Sequence, residues 1–302
     1  VYTIMNVAVR NNIILERWKC TVTILIEKHK NRPYVHRTRP LHIVEPEVNA
    51  IAKEVWARNL MREAEKENKV SDDQYGGRKN RQAQSAVLNK IMYYNINAQT
   101  LTETQYDDDD LRSNYDREMV HLVLAEANIK HGIHKDNTEF VKEFIAQQRF
   151  HIKTGHGVSK MWYEDSEECH IYGMGQGLAW AGPGWIMASN TICKAKEKMC
   201  KGMTFVDPIT GKTVSKTQDM FVDDLAGGTN YKDEKISVMQ QRKKNFQTHV
   251  DLVNVTGGDI ALDKCWFYHV NWTYEGGEAV AIAMDGSHSV LSINDPATGR
   301  RV

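Results

Sequence analysis

The chain has 302 residues, 41% of them hydrophobic, enough to bury a sizeable core in one large domain or two smaller ones. Lys+Arg and Asp+Glu both number 39, so the composition gives no basic footprint for a polynucleotide unless the cations gather on one face. No apolar run is long enough to span a membrane. Cys20, Cys169, Cys193, Cys200 and Cys265 are scattered, with no CxxC pair and no secretory signal, and read as free thiols of an intracellular protein. No targeting segment chooses between nucleus and cytoplasm. The chain starts at Val1 and stops mid-pattern at Arg301-Val302, and we expect it to be part of a longer protein.

Residues 18–26 (WKCTVTILI) are β-branched and apolar, and 41–44 repeat the pattern after a loop containing His36, Arg37 and Arg39. Two strands joined by a basic loop are expected, with Lys28 and Arg39 able to hold phosphates or simply to be solvated. Residues 47–69 carry Val48, Ile51, Val55, Trp56, Leu60 and Met61 near a 3.6 period, which predicts a helix. The loop Gln74-Tyr75-Gly76-Gly77-Arg78-Lys79-Asn80-Arg81 combines paired glycines with cations, suited to a sugar-phosphate strand or to a plain flexible turn. A helix over 83–94 follows.

The run Asp107-Asp108-Asp109-Asp110 is not an EF-hand, since it lacks the Gly at the sixth position and the terminal Glu. Helices are predicted over about 117–129, with Gly132 as its cap, and from Asn137 or Thr138 onward. A strand near 150–154 precedes Tyr172-Gly173-Met174-Gly175-Gln176-Gly177, and Pro183 is placed as the first residue of a helix running to about Lys198. That glycine-rich loop reads as a ligand-facing loop or as a cap on a core helix. A hairpin is expected around Asp207–Gly211, a helix over 232–253 closed by Gly257-Gly258, an aromatic strand over 266–272, and strands near 279–284 and 290–293.

Within this series Met220-Phe221-Val222-Asp223-Asp224, followed by Leu225-Ala226-Gly227-Gly228, predicts strand, tight turn and returning strand, with two carboxylates at the turn. Adjacent carboxylates repel unless a cation neutralises them, and a hard divalent ion suits oxygen ligands. By itself the stretch reads more readily as a surface turn than as a site.

The order of these features, from a basic hairpin through Gln74-Tyr75-Gly76, an acidic strand end, Gly175-Gln176-Gly177 before Pro183, Phe221-Val222-Asp223-Asp224, and Gly257-Gly258 ahead of Lys264, resembles the reverse transcriptases of non-LTR retrotransposons and group II introns. The resemblance spans about residues 18–272. It implies an α+β fold, the fingers and palm of a right-hand polymerase with an antiparallel palm sheet packed on helices and the thumb absent or truncated. The implied division is fingers over 14–102, palm over 103–117, a fingers/palm helical segment over 118–152, palm over 153–275, and the start of a connection over 276–302.

The resemblance further implies RNA-directed DNA polymerisation, with an RNA template, a DNA or RNA primer and dNTPs. Asp110, Asp223 and Asp224 match the family's catalytic and metal-binding positions, for two Mg2+ ions with Mn2+ as a possible substitute. Asp110 is singled out because the family motif has four residues between the acid and an aromatic, here Tyr115 followed by Asp116. Lys28, Arg39, Tyr115, Gln176, Gly177 and Lys264 match nucleotide-binding positions, Tyr115 as the gate against a 2′-hydroxyl. Gln74, Gly76 and Arg78 match a template-facing segment, and His269 and Trp272 a primer-gripping hairpin. Two departures stand out: five residues separate Gln176-Gly177 from Pro183, one more than the common pattern, and Asp107–Asp109 crowd a site that must admit a polyanion. A catalytically silent, RNA-binding module of the same fold is the second reading.

Overall fold

Chain order begins with helix α1 (Tyr2–Arg10), which the sequence reading did not anticipate, then strands β1 (Cys20–Glu27) and β2 (Thr38–Ile43). Helices α2 (Pro46–Ile51) and α3 (Arg58–Lys66) flank a π-helical stretch, Ala52–Ala57, inside the single helix predicted over 47–69. Next come α4 (Ala83–Gln99), longer than predicted, β3 (Thr104–Asp109), α5 (Asn114–Arg117), α6 (Val120–His131), α7 (Lys135–Ala146), β4 (Arg149–Thr154) and β5 (Gly157–Val158). Then follow α8 (Ala181–Met199), β6 (Met203–Val206), β7 (Thr213–Lys216), β8 (Gln218–Phe221), β9 (Asp224–Thr229), α9 (Val238–Val255), β10 (Trp266–Glu275) and β11 (Glu278–Ile282). The computed structural model describes residues 2–28, 34, 38–66, 68–112, 114–167, 173–282, 291–296 and 298–301. Of the predicted features, His36, Arg37, Cys169, Tyr172, residues 283–284 and Val290 lie outside the described residues. No strand occupies 291–293.

Two units are formed from separated stretches: Val1–Val70 with Asn114–Ala188, and Ser71–Ser113 with Ser189–Val302. In the first, four strands are ordered β2-β1-β4-β5, with β1 antiparallel to β2 and parallel to β4. Its core holds Trp18, Trp56, Leu60, Phe140, Phe144 and Trp180, each 1% exposed or less. Trp18 meets Phe140 edge to face at 6.5 Å, and Phe144 meets Trp180 at 5.3 Å. Each such side chain is worth about 1.5–3 kcal/mol in area terms, so these rings dominate the packing energy of the unit.

The second unit is built on an antiparallel sheet ordered β11-β10-β3-β9-β8. Tyr94 of α4 packs edge to face on Trp272 at 4.9 Å, while α9 lies along the opposite face of β3, where its Arg242 meets Asp107. Tyr106, Met203, Val270 and Trp272 form one core cluster and Cys193, Met220 and Leu225 another. β6 and β7 make a separate ribbon joined by the predicted turn, where Asp207 Oδ1 accepts from the Ile209 and Thr210 amides. Cys20, Cys193, Cys200 and Cys265 are free thiols.

Helix ends differ from the periodicity reading for local reasons. Gly132 caps α6 in the left-handed conformation at φ 66°, as expected. α7 starts earlier than Asn137, because His134 Nδ1 accepts from the Asp136 amide and serves as N-cap. α8 begins at Ala181, so Pro183 is its third residue, still within the first turn where no amide partner is lost. α9 begins after Ser237 rather than at Lys232, since Asp233 Oδ1 accepts from the Lys235 and Ile236 amides and holds that stretch in a turn. Ser237 and Gln240 then complete a capping box, Ser237 Oγ accepting from the Gln240 amide at 3.2 Å and Gln240 Oε1 from the Ser237 amide at 2.9 Å. Ser237→Ala should therefore cost about 1 kcal/mol in urea unfolding followed by circular dichroism.

Candidate active site

Alternation along β3 sorts the four aspartates. Asp107 and Asp109 point to the α9 side of the sheet and are 3–4% exposed; Asp108 and, past the strand end, Asp110 point to the α4 side. On the α9 side, Arg242 donates to Asp107 at 2.8 Å and lies 4.0 Å from Asp109, with His249 Nε2 3.7 Å from Asp109. Gly227 on the neighbouring strand is required here, because a Cβ would lie 2.8 Å from the Asp107 carboxylate. Burial first, then the charge of Asp107, holds Asp109 well above the usual carboxylate range; burial likewise holds His249 well below the usual imidazole value. Asp109 and His249 thus face each other as an acid and an imidazole that both favour their neutral forms. On the α4 side, Lys90 binds both oxygens of Asp108 at 2.5 and 2.6 Å.

The turn between β8 and β9 consists of Val222 and Asp223, with Phe221 paired to Asp224. Val222 has φ 61°, a left-handed conformation that costs a β-branched residue appreciably. Gln74 holds it there. Its Oε1 accepts from the Val222 amide at 3.2 Å and the Gly76 amide at 2.9 Å, and its Nε2 donates to Ser189 Oγ at 3.0 Å and the Val222 carbonyl at 3.4 Å. Gly76 touches the turn so closely that a Cβ would lie 2.3 Å from the Val222 nitrogen. Met220 donates to the Asp73 carbonyl and accepts from the Tyr75 amide, both at 2.7 Å, so this segment also pairs with the open edge of β8.

Asp110 and Asp224 consequently sit at neighbouring strand ends on one face. Burial, and next Asp110, raises the Asp224 pKa. Lys264, after a short 3-10 turn (Leu262–Lys264), forms an ion pair with Asp110 Oδ2 and feels the charges of Asp263 and Asp223. A cavity of about 690 Å³ opens at this face, walled by Ala86 and Val87 of α4, Phe221, Leu225 and Trp266, with Asp108, Asp110, Asp219, Asp224, Asp263, Lys90 and Lys264 on its polar side. Asp219 is neutralised by Lys216 at 2.9 Å and Asp263 lies 3.5 Å from Arg112. The donor set, carboxylate oxygens at the ends of adjacent strands, suits hard divalent ions. Among the described residues, however, no group of three or more His, Cys, Asp or Glu side chains converges to hold a metal ion. Lys264 stands on Asp110 instead.

A second group of predicted residues assembles in the other unit. The Tyr115 carbonyl accepts from the Met174 amide at 2.8 Å and the Gly175 amide at 3.2 Å, and Asp116 Oδ1 accepts from the Gln176 amide at 3.3 Å. Gly173 needs its lack of a side chain, with φ 88° and a Cβ position 2.4 Å from the Tyr115 oxygen. The Gln176 carbonyl accepts from the His42 amide at 2.8 Å, and Gly177 packs on Leu41 and His42 of β2. Tyr115, Gln176 and Gly177 thereby form one piece with β2, on which Arg39 is exposed; Lys28 is exposed and its charge reaches Asp116. Burial pushes His42, hydrogen-bonded to Thr23 at 3.0 Å, down to about 4.

Several expected template and primer contacts have other places. Gln74 is fully buried and supports the turn as described. Arg78 is 9% exposed and donates to the Ser71 and Gln74 carbonyls at 2.7 and 3.1 Å, bracing the same loop. Trp272 belongs to the core cluster at 7% exposure, and His269 Nε2 lies 2.9 Å from Glu103. Gln, Gly and Arg in a polar loop gave no sign of this burial; the cause is the unpaired edge of β8, which the loop covers. Asp108, Lys90 and Arg242 went unrecognised. Alternation within the acidic run was the available signal for Asp108, while nothing in α9 marked Arg242.

No protein-family model and no curated protein matches the chain. Solved structures do. Apo telomerase from Candida tropicalis, truncated from its C-terminal domain, superposes with a TM-score of 0.56 at 12% identity over 89% of this chain and 54% of that one. Telomerase from Candida tropicalis with the TWJ fragment of telomeric RNA gives 0.55 at 13% over 99% and 49%. Telomerase from Candida albicans with the same kind of fragment gives 0.52 at 11% over 90% and 46%. The chain spans about half the length of these structures. At such identities the likeness establishes the fold, an α+β, reverse-transcriptase-like architecture of the fingers-palm kind, with antiparallel sheet packed on helices. Removing the buried cation tests the polar core of that architecture: Arg242→Met should destabilise by about 3–5 kcal/mol in urea unfolding, and adding Asp107→Asn should restore part of the loss.

Proposed function

We propose that the chain is the RNA-directed DNA polymerase region of a retroelement, transferring dNTPs onto a primer 3′-hydroxyl on an RNA template. The observation that carries this reading is the sorting of carboxylates. Asp110 and Asp224 share one face at adjacent strand ends beside Asp223, with Asp110 paired to the largely exposed Lys264, while Asp107, Asp108 and Asp219 are paired with Arg242, Lys90 and Lys216. The acidic run therefore presents far less charge to an approaching polyanion than its sequence suggests. The retroelement assignment rests on the motif order, since likeness to telomerase supports the fold without its substrate.

In this reading Asp110, Asp223 and Asp224 would hold Mg2+, with Mn2+ as substitute, and such ions would supply Lewis acidity toward the primer 3′-hydroxyl and positive charge against the departing pyrophosphate. The chain's own contribution is placement. Gln74 and Gly76 lock the Val222–Asp223 turn, so the carboxylates are held rather than gathered at the moment of reaction. Lys28 and Arg39 offer a point charge and a planar fork to the triphosphate. Tyr115, tied through its backbone to the Gly175–Gly177 loop, presents a ring that excludes a 2′-hydroxyl, and Gln176 orients the incoming base.

The silent-module reading finds its support in Lys264, which stands on Asp110 where a divalent ion would compete for the same oxygen. Half of the Lys264 side chain surface or more is exposed, so the pair is cheap to break. Two measurements separate the readings. Primer extension on an RNA template should require dNTPs, fail with rNTPs and disappear in Asp223→Asn; extension unaffected by that substitution would overturn the polymerase assignment. Mn2+ binding without nucleic acid, followed by electron paramagnetic resonance, should tighten about fivefold in Lys264→Met, the upper range of an exposed pair, and be lost in Asp110→Asn.

A further inference from the structure

The balanced charge of the chain hides uneven stretches, one of them built into a hairpin. Residues 149–163 (RFHIKTGHGVSKMWY) contain three Lys or Arg and two His and no Asp or Glu, with Glu164 and Asp165 directly after. They form β4, β5 and a returning segment at the edge of the four-stranded sheet. The hairpin is built rather than loose. Phe150 and Tyr163 exchange backbone hydrogen bonds at 2.8 and 3.1 Å, and Ser159 bonds Ile152 through both its amide and its hydroxyl at 2.9 and 3.0 Å. Ser159 Oγ also donates to the Met161 carbonyl at 2.6 Å.

On this frame Phe150 is buried, while Ile152, Val158, Met161 and Trp162 point outward. Met161 is 78% exposed and Trp162 47%. Trp162 is held in place by its neighbours: its indole N–H donates to Glu164 at 3.2 Å, the Arg149 guanidinium lies 5.7 Å from the ring centre, and the His151 ring 5.7 Å from it. Arg149 is itself paired with Glu16 and Glu164 at 3.2 and 3.6 Å, so its charge is spent on fixing the ring. Lys153, on the same face of β4 by alternation, and Lys160 are exposed. An oriented aromatic face beside two exposed lysines matches what single-stranded nucleic acid requires: stacking for a base and positive charge for the phosphates on either side.

We propose that the β4–β5 hairpin is a docking surface for a single-stranded polynucleotide, with Trp162 stacking on a base and Lys153 and Lys160 meeting phosphates. Taking that strand to be RNA rests on the polymerase reading above; the stacking and charge do not. None of the hairpin's residues belongs to the carboxylate site, which makes the two ideas separable.

Fluorescence polarisation of a labelled single-stranded RNA on the whole chain, at several salt concentrations, tests it. Trp162→Ala should weaken binding about tenfold, as loss of one stacked base does, while Trp162→Phe should keep most of the affinity and so report on folding. Lys153→Gln with Lys160→Gln should flatten the slope of log affinity against log salt by about 1.4, two phosphates at the single-strand value. Wild-type affinity and slope in all these variants would overturn the proposal and leave the patch to a protein partner. Equal loss of affinity for duplex RNA would overturn its single-strand character. If the wild type fails to extend a primer yet binds RNA through the hairpin, the polymerase reading falls and this one stands.

Discussion

The Asp107–Asp110 run is the constraint on which the second unit depends. Four carboxylates in sequence repel one another strongly in any environment drier than water. A strand resolves the conflict by sending alternate side chains to opposite faces, and each face then needs its own cation. α9 supplies Arg242 to one side and α4 supplies Lys90 to the other. The arrangement fixes β3 between two helices and leaves Asp110, just beyond the strand, at the mouth of the cavity. Asp109 sits deepest, and the neutral state that burial favours spares the core a second full charge.

The other fixed point is the turn that carries Asp223. A valine with positive φ is held only if its surroundings over-determine it. Gln74 provides four hydrogen bonds around the turn, and Gly76 provides the room for them. Strain at Val222 and burial of a polar Gln are two sides of one construction, since the amide groups of the turn would otherwise lack partners. Rigid carboxylates on a strained turn suit a site whose chemistry is mostly placement.

Charge balance over the whole chain does not fix the charge of any one surface. A net charge of zero is compatible with a polyanion-binding surface once acids are paired internally and cations are gathered at one edge of a sheet. The acids at Asp107, Asp108 and Asp219 are consumed by Arg242, Lys90 and Lys216, whereas residues 149–163 carry cations with no acid among them. Among the described residues no helix is long and apolar enough to cross a membrane.

Local pattern determined most strands of the two larger sheets, the turn at Val222–Asp223, the glycine cap at Gly132 and the resemblance of motif order to reverse transcriptases, because period-two and period-3.6 spacing, glycine and motif order are properties of neighbouring residues. The resemblance, through its spacing to Tyr115, pointed to Asp110 among the four aspartates. Tertiary structure alone decided what surrounds them. That Gln74 and Trp272 are buried supports, that Asp108 belongs to Lys90, that Arg242 anchors Asp107, and that Lys264 rests on Asp110 all depend on contacts between residues far apart in the chain, from Lys90 and Asp108 to Tyr94 and Trp272. Such contacts are chosen by which strand edge needs covering and which charge needs a partner once the chain has folded. No periodicity in the sequence records them.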